Sequence, residues 1–109
     1  MRIALGQLNT IWEDRDASIE RAKPMIAEAA AAGADLIVFP EMSFTGVSLN
    51  IDTVAEPQEA STTVDTMKEL AKRHHIAIAF GWAALPEHSG NLAENRITLL
   101  DADGMQVGD

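Results

Sequence analysis

Cysteine is missing from all 109 residues, which excludes disulfides, thiolate metal sites and a cysteine nucleophile within this chain. Basic residues are scarce: 8 Lys and Arg stand against 17 Asp and Glu, a formal net charge of -9. They are scattered from Arg2 to Arg96 without a cluster, so neither nucleic acid nor an anionic membrane surface is an expected partner. No apolar run approaches the roughly 20 residues needed to span a bilayer. The N-terminus MRIALGQLN lacks the charged start, long apolar stretch and small-residue cleavage site of a secretory signal, and the expected location is cytoplasmic. No GxGxxG follows the first apolar segment and no GxxxxGK(S/T) occurs, so nucleotide phosphate cradles find no support.

What is present has the balance of a globular chain, 47% hydrophobic and 23% charged, far from the composition of a disordered one. A chain this long buries roughly 65% of its unfolded surface, enough for one core and not for two, so residues 1–109 are expected to form one domain at most.

Ile3 to Leu8 reads as a short buried strand. Asp14 or Asp16 then supplies a helix start, and Ile19, Ala22, Ile26, Ala29 and Ala30 recur at helical spacing up to a stop at Gly33. Pro24 inside this pattern predicts a kink or a restart. Leu36 to Phe39 is a continuous apolar run of the kind found in a parallel strand covered on both faces. Strand, helix and strand in sequence predict an α/β layer architecture. Residues 42–60 have no clean period and read as a long functional loop. A second helix follows, with Thr62 and Asp65 as a capping-box-like start and Lys72 to His75 at its end. Strands are expected over 76–82 and 93–100, then a hairpin turn at Asp101 to Gly104 and a strand begun by Met105 to Val107 and cut short by Gly108 and Asp109.

The most informative segment is LIVFPEMSFTG. Proline cannot donate to a sheet ladder, so Pro40 ends the strand and sets Glu41 at its carboxyl end, where α/β sheets bind ligands. Beside Phe39, Met42 and Phe44 a carboxylate is expected to be partly desolvated, which suits a general base. The alternative is a solvated loop glutamate that merely follows a strand.

The run ADLIVFPEMSFTG, with the opening strand and the placing of NRITLLDADG, resembles the N-terminal part of the nitrilase superfamily of carbon-nitrogen hydrolases, across essentially the whole chain. The resemblance implies the N-terminal half of a four-layer α-β-β-α sandwich. It implies hydrolysis of a non-peptide carbon-nitrogen bond, in an amide, N-carbamoyl compound or nitrile, without cofactor or metal. It also implies that Glu41, at the glutamate of the FPE motif, is the general base of a Glu-Lys-Cys triad, and that the protein is a homo-oligomer. Small amides and N-carbamoyl compounds are the favoured substrates. The family pattern usually has an aromatic after the glycine of this motif, where this sequence has Val47. The family lysine and cysteine fall beyond Asp109, so the 109 residues carry one member of the triad and are expected to be inactive by themselves. Lys23, Lys68 and Lys72 lie on helices and do not match the family lysine.

Other residues attract structural readings. His74 and His75 are adjacent, so on a helix they point about 100° apart and cannot share a metal; a helix-end role fits them. Trp12 and Trp82 read as core-edge aromatics, and His88 supports no role. Two rivals stand beside the hydrolase reading: a catalytically inactive binding or assembly module, and a flavodoxin-like binder with a similar alternation of strand and helix.

Overall fold

The computed structural model describes residues 1–90 and 92–109. In chain order the elements are β1 (Ile3–Leu5), α1 (Arg15–Ala31), β2 (Leu36–Val38), α2 (Ile51–Val54), β3 (Glu56–Pro57), a 3-10 turn (Gln58–Ala60), α3 (Thr62–His74), β4 (Ala77–Leu85), β5 (Glu94–Leu100) and β6 (Gln106–Gly108).

Local chemistry sets the helix ends. The Asp14 carboxylate accepts a hydrogen bond from the Ala17 N–H at 3.1 Å, satisfying one free donor of the first turn of α1. At the far end Gly33 takes φ +84, Ala34 N–H donates to Ala29 and Gly33 N–H to Ala30, each at 3.0 Å. That paired arrangement closes the helix with a left-handed glycine. The restart expected at Pro24 does not occur: α1 runs through it as one element. Ala22 and Ile26, two residues to either side, are both fully buried at 0% exposure, so packing holds the helix together across the missing ladder bond. α3 begins one residue earlier than the capping expectation. Its cap is Ser61, whose hydroxyl accepts from Val64 N–H at 3.0 Å. His75 closes α3 in the left-handed region and is exposed while His74 is half-buried, the helix-end placement expected of them.

The strands form one mixed sheet in the order β1-β2-β4-β5-β6, with β3 beside the distal part of β4. β1, β2 and β3 run parallel to their neighbours, and β4, β5 and β6 pair antiparallel. The hairpin between β5 and β6 turns at Asp101 to Gly104, where the Asp101 carboxylate accepts from the N–H groups of Asp103 and Met105. The sheet departs from the flavodoxin-like alternative, since its later half is antiparallel and both long helices lie against one face.

That one-sided arrangement follows from the register. Ala4, Ile37, Ile78 and Leu100 form one row across the sheet, facing the core with Phe80, Trp82 and the inward residues of α1 and α3. The adjacent positions face away. Ile3, Leu5, Ile97 and Val107 are between 52% and 77% exposed. The expectation of a buried first strand, and of a second strand covered on both faces, is therefore corrected: one helix layer covers one face. The shortest molecular extent, 18 Å, is that of a sheet with a single helical layer. Residues 42–60, expected as a featureless loop, contain α2, β3 and the 3-10 turn, and β4 extends three residues further than its sequence pattern indicated.

Candidate active site

The segment after β2 is shaped by three residues. Phe39 N–H still donates to Ala79 at 2.9 Å, but Pro40 has no N–H to continue the ladder, so the chain leaves the sheet there. Ser43, fully buried at 0%, then pins the turn from both sides. Its N–H donates to the Gly81 carbonyl at 3.0 Å, while its hydroxyl accepts from Gly81 N–H at 2.9 Å and donates to the Pro40 carbonyl. Gly81 is required by this closeness: a Cβ there would lie 2.5 Å from Met42 N. A glycine inside a strand pattern is the usual sign of such an approach, and it is the signal in the sequence that marks this contact with Ser43.

Glu41 sits at the head of this turn and lines a cleft of about 290 Å³ with Met42, Val47, Leu49, Val54, Ala83 and Asn95. The side-chain amide of Asn95 donates a hydrogen bond to Glu41 Oε1. The expected desolvation of Glu41 by its apolar neighbours is corrected, because Glu41 is exposed. Phe39 and Phe44 turn inward and meet as tilted rings at a centroid distance of 5.6 Å, and Met42 packs against Val54 and Ala83. The three flanking residues thus go to the core and leave the carboxylate at the cleft. No lysine lines the cleft among the described residues; Lys23 pairs with Glu20 on α1 at 2.5 Å.

A second polar cluster braces the region from behind. Glu56, 5% exposed, accepts from Ser61 Oγ at 3.0 Å, Thr62 Oγ1 at 3.2 Å and Thr63 N–H at 3.1 Å. Its other oxygen lies 3.6 Å from Arg15 Nε, tying the start of α1 to the start of α3. From the same approach to α1, Glu13 N–H donates to Thr45 at 2.8 Å and the Glu13 carboxylate accepts from Ser48 Oγ at 2.7 Å. On β5, Arg96 donates to Glu94 and Asp109; the hydrogen bond it makes to Glu94 raises its pKa above the ordinary arginine value. Trp82 is a buried core-edge aromatic whose indole N–H donates to Thr98 at 2.9 Å, whereas Trp12 is 61% exposed. Among the described residues, no group of three or more His, Cys, Asp or Glu could hold a metal ion, and no helix is long and apolar enough to cross a membrane.

Known proteins resemble this chain in sequence and in fold. It is 27% identical over 118 residues to the bromoxynil-specific nitrilase of Klebsiella pneumoniae subsp. ozaenae, covering 95% of this chain and 33% of that protein. With the aliphatic nitrilase of Rhodococcus rhodochrous it shares 28% identity, covering 97% of this chain and 32% of the relative. The chain therefore spans about a third of the length of the curated relatives it matches. Among solved structures, the NitN amidase of Nesterenkonia sp. AN1 superposes with a TM-score of 0.78 at 19% identity, covering 99% of this chain and 42% of that one. An N-terminal amidase superposes at a TM-score of 0.77 and 18% identity, over 97% of this chain and 26% of the other. The fold is that of the N-terminal half of the α-β-β-α sandwich, one sheet with its own helix layer. The family described as "Carbon-nitrogen hydrolase" matches residues 2–109: the chain belongs to the carbon-nitrogen hydrolase family.

Proposed function

We propose that residues 1–109 are the N-terminal part of a carbon-nitrogen hydrolase domain and supply its general base, Glu41. The observation that carries this reading is the position of Glu41: a carboxylate at the carboxyl end of β2, fixed by the Ser43 and Gly81 turn, at the edge of a mostly apolar cleft. In the reaction the resemblance implies, Glu41 takes the proton of a cysteine thiol as sulfur bonds to the substrate carbon; an amide then loses its nitrogen, protonated by Glu41, as the carbon-nitrogen bond breaks, while a nitrile first becomes a thioimidate, to which water adds before ammonia leaves. Water next adds to the thioester, the carbon-sulfur bond breaks and the thiol is restored. A lysine stabilises the charge that builds on the substrate. The cysteine and lysine would come from outside these 109 residues, which contain no cysteine.

The substrate class is a small nitrile, amide or N-carbamoyl compound. The curated relatives named above are nitrilases and the structural ones amidases, so both bond types stay within the class. One solved form of the Nesterenkonia amidase carries an active site cysteine modified by acrylamide, which supports a thiol as the nucleophile. Neither a cofactor nor a metal enters this chemistry. We read the working protein as a cytoplasmic homo-oligomer.

The test is ammonia release by the product of the complete gene, assayed on small nitriles and amides before and after thiol alkylation. Turnover abolished by alkylation supports the reading, and alkylation-resistant turnover contradicts it. The absence of cysteine also favours a second reading for the 109 residues alone, a non-catalytic binding or assembly module. A complete gene product with no turnover on any of these substrates would favour that reading.

A further inference from the structure

We propose that Asn95 is a positioning residue for Glu41, holding one carboxylate oxygen so that the other is presented to the cleft. The proposal rests on the reading of Glu41 as the base. Asn95 and Glu41 lie 54 residues apart and meet through the Asn95 Nδ2 to Glu41 Oε1 hydrogen bond. The sheet brings them together. β5 runs antiparallel to β4, so its first residues lie at the sheet end where the turn after β2 emerges, and Asn95 is directly opposite Ala83. Cross-strand partners share a face, which puts Asn95 and Ala83 on the face opposite the helices. Ala83 offers only a methyl group between the two polar side chains, and all three line the same cleft.

The orientation of the Asn95 amide follows from chemistry. An ionised carboxylate only accepts, so the NH₂ group must face Glu41. An amide donor does not titrate, so the contact fixes the carboxylate without exchanging a proton with it. Asparagine is also depleted in strands, so its place in β5 calls for a reason beyond the strand itself. Glu41 Oε2 has no hydrogen-bond partner among the described residues, leaving it as the oxygen that exchanges protons. The other ionisable group lining the cleft, Glu94, is engaged by Arg96 Nε at 2.8 Å. No further ionisable side chain lines the cleft among the described residues.

The experiment compares Asn95→Leu, Asn95→Asp and Glu41→Gln in the product of the complete gene, with kcat and KM measured separately on one accepted substrate. Asn95→Leu removes the donor at similar volume. It is expected to lower kcat by about 10- to 100-fold, with KM little changed, because a loosened base is misplaced for proton transfer. Asn95→Asp keeps the size of the side chain but has no donor for Glu41 when ionised, and should lower kcat at least as far. Should Asn95→Leu fail to fold, the kcat of Asn95→Asp decides. An unchanged kcat in the folded variants, with Glu41→Gln inactive, overturns the positioning role and leaves the base assignment standing. An active Glu41→Gln protein overturns both.

Discussion

The Gly81 N–H and the Ser43 hydroxyl meet at 2.9 Å across 38 residues of sequence. With the return bond from Ser43 N–H to Gly81 carbonyl at 3.0 Å, they close a ring that locks the Glu41 turn onto β4. Ser43→Ala keeps the backbone bond but leaves Gly81 N–H, inside the sheet, without its acceptor. The expected loss is about 1–3 kcal/mol of stability, read as a lowered midpoint in chemical denaturation. An unchanged midpoint would mean the turn is held elsewhere.

Gly81→Ala should be at least as damaging. The added Cβ would stand 2.5 Å from Met42 N and 3.0 Å from both Glu41 Cα and Pro40 O, all backbone atoms that cannot rotate aside. Overpacking of this kind costs about 1–3 kcal/mol. Thermal melts are expected to show the drop, accompanied by lost activity because the atoms displaced belong to Glu41 and its neighbours.

Glu56→Ala removes the acceptor of three hydrogen bonds and the carboxylate facing Arg15. Breaking a buried pair by deleting one partner costs about 3–5 kcal/mol, and the 23% exposure of the Arg15 side chain puts the expected value at the lower end. Denaturant titration checks it. A loss under about 0.5 kcal/mol would show that the cluster braces nothing.

The 109 residues by themselves are expected to be catalytically silent and to self-associate. Silence follows from the absence of cysteine. Association follows from Ile3, Leu5, Ile97 and Val107, which leave an apolar sheet face open to solvent. Sedimentation should reveal oligomers that Ile97→Lys with Val107→Lys disperses; a monomeric parent chain would contradict the expectation.

Where a residue acts through its own neighbours, the sequence was readable. Asp14 and Gly33 mark α1 by chemistry confined to one turn, and Pro40 marks the end of β2 by lacking a donor. Where the cause lies far along the chain, it was not. α2 has four residues and β3 two, too few for any period to register, and β3 exists because β4 pairs with it. The cap of α3 falls to Ser61, whose hydroxyl accepts from Val64 N–H, while Glu56, five residues or more back along the chain, binds Ser61, Thr62 and Thr63 together. Exposure of β1 was equally hidden, since apolar composition says nothing about which layers are present to cover it. Glu41 was legible through Pro40, while its partner Asn95 was not, because the contact spans 54 residues.

Whether Glu41 moves protons is read out by Glu41→Gln in the product of the complete gene. The amide keeps the size of the side chain and one acceptor oxygen but cannot take a proton. General acid-base help is worth about 10²- to 10⁴-fold, so kcat/KM on an accepted nitrile or amide should fall by at least about 100-fold with circular dichroism and melting temperature unchanged. A folded Glu41→Gln protein that keeps more than about a tenth of the parental kcat/KM, a barrier change under about 1.4 kcal/mol, would mean that Glu41 is a solvated loop glutamate and not the base.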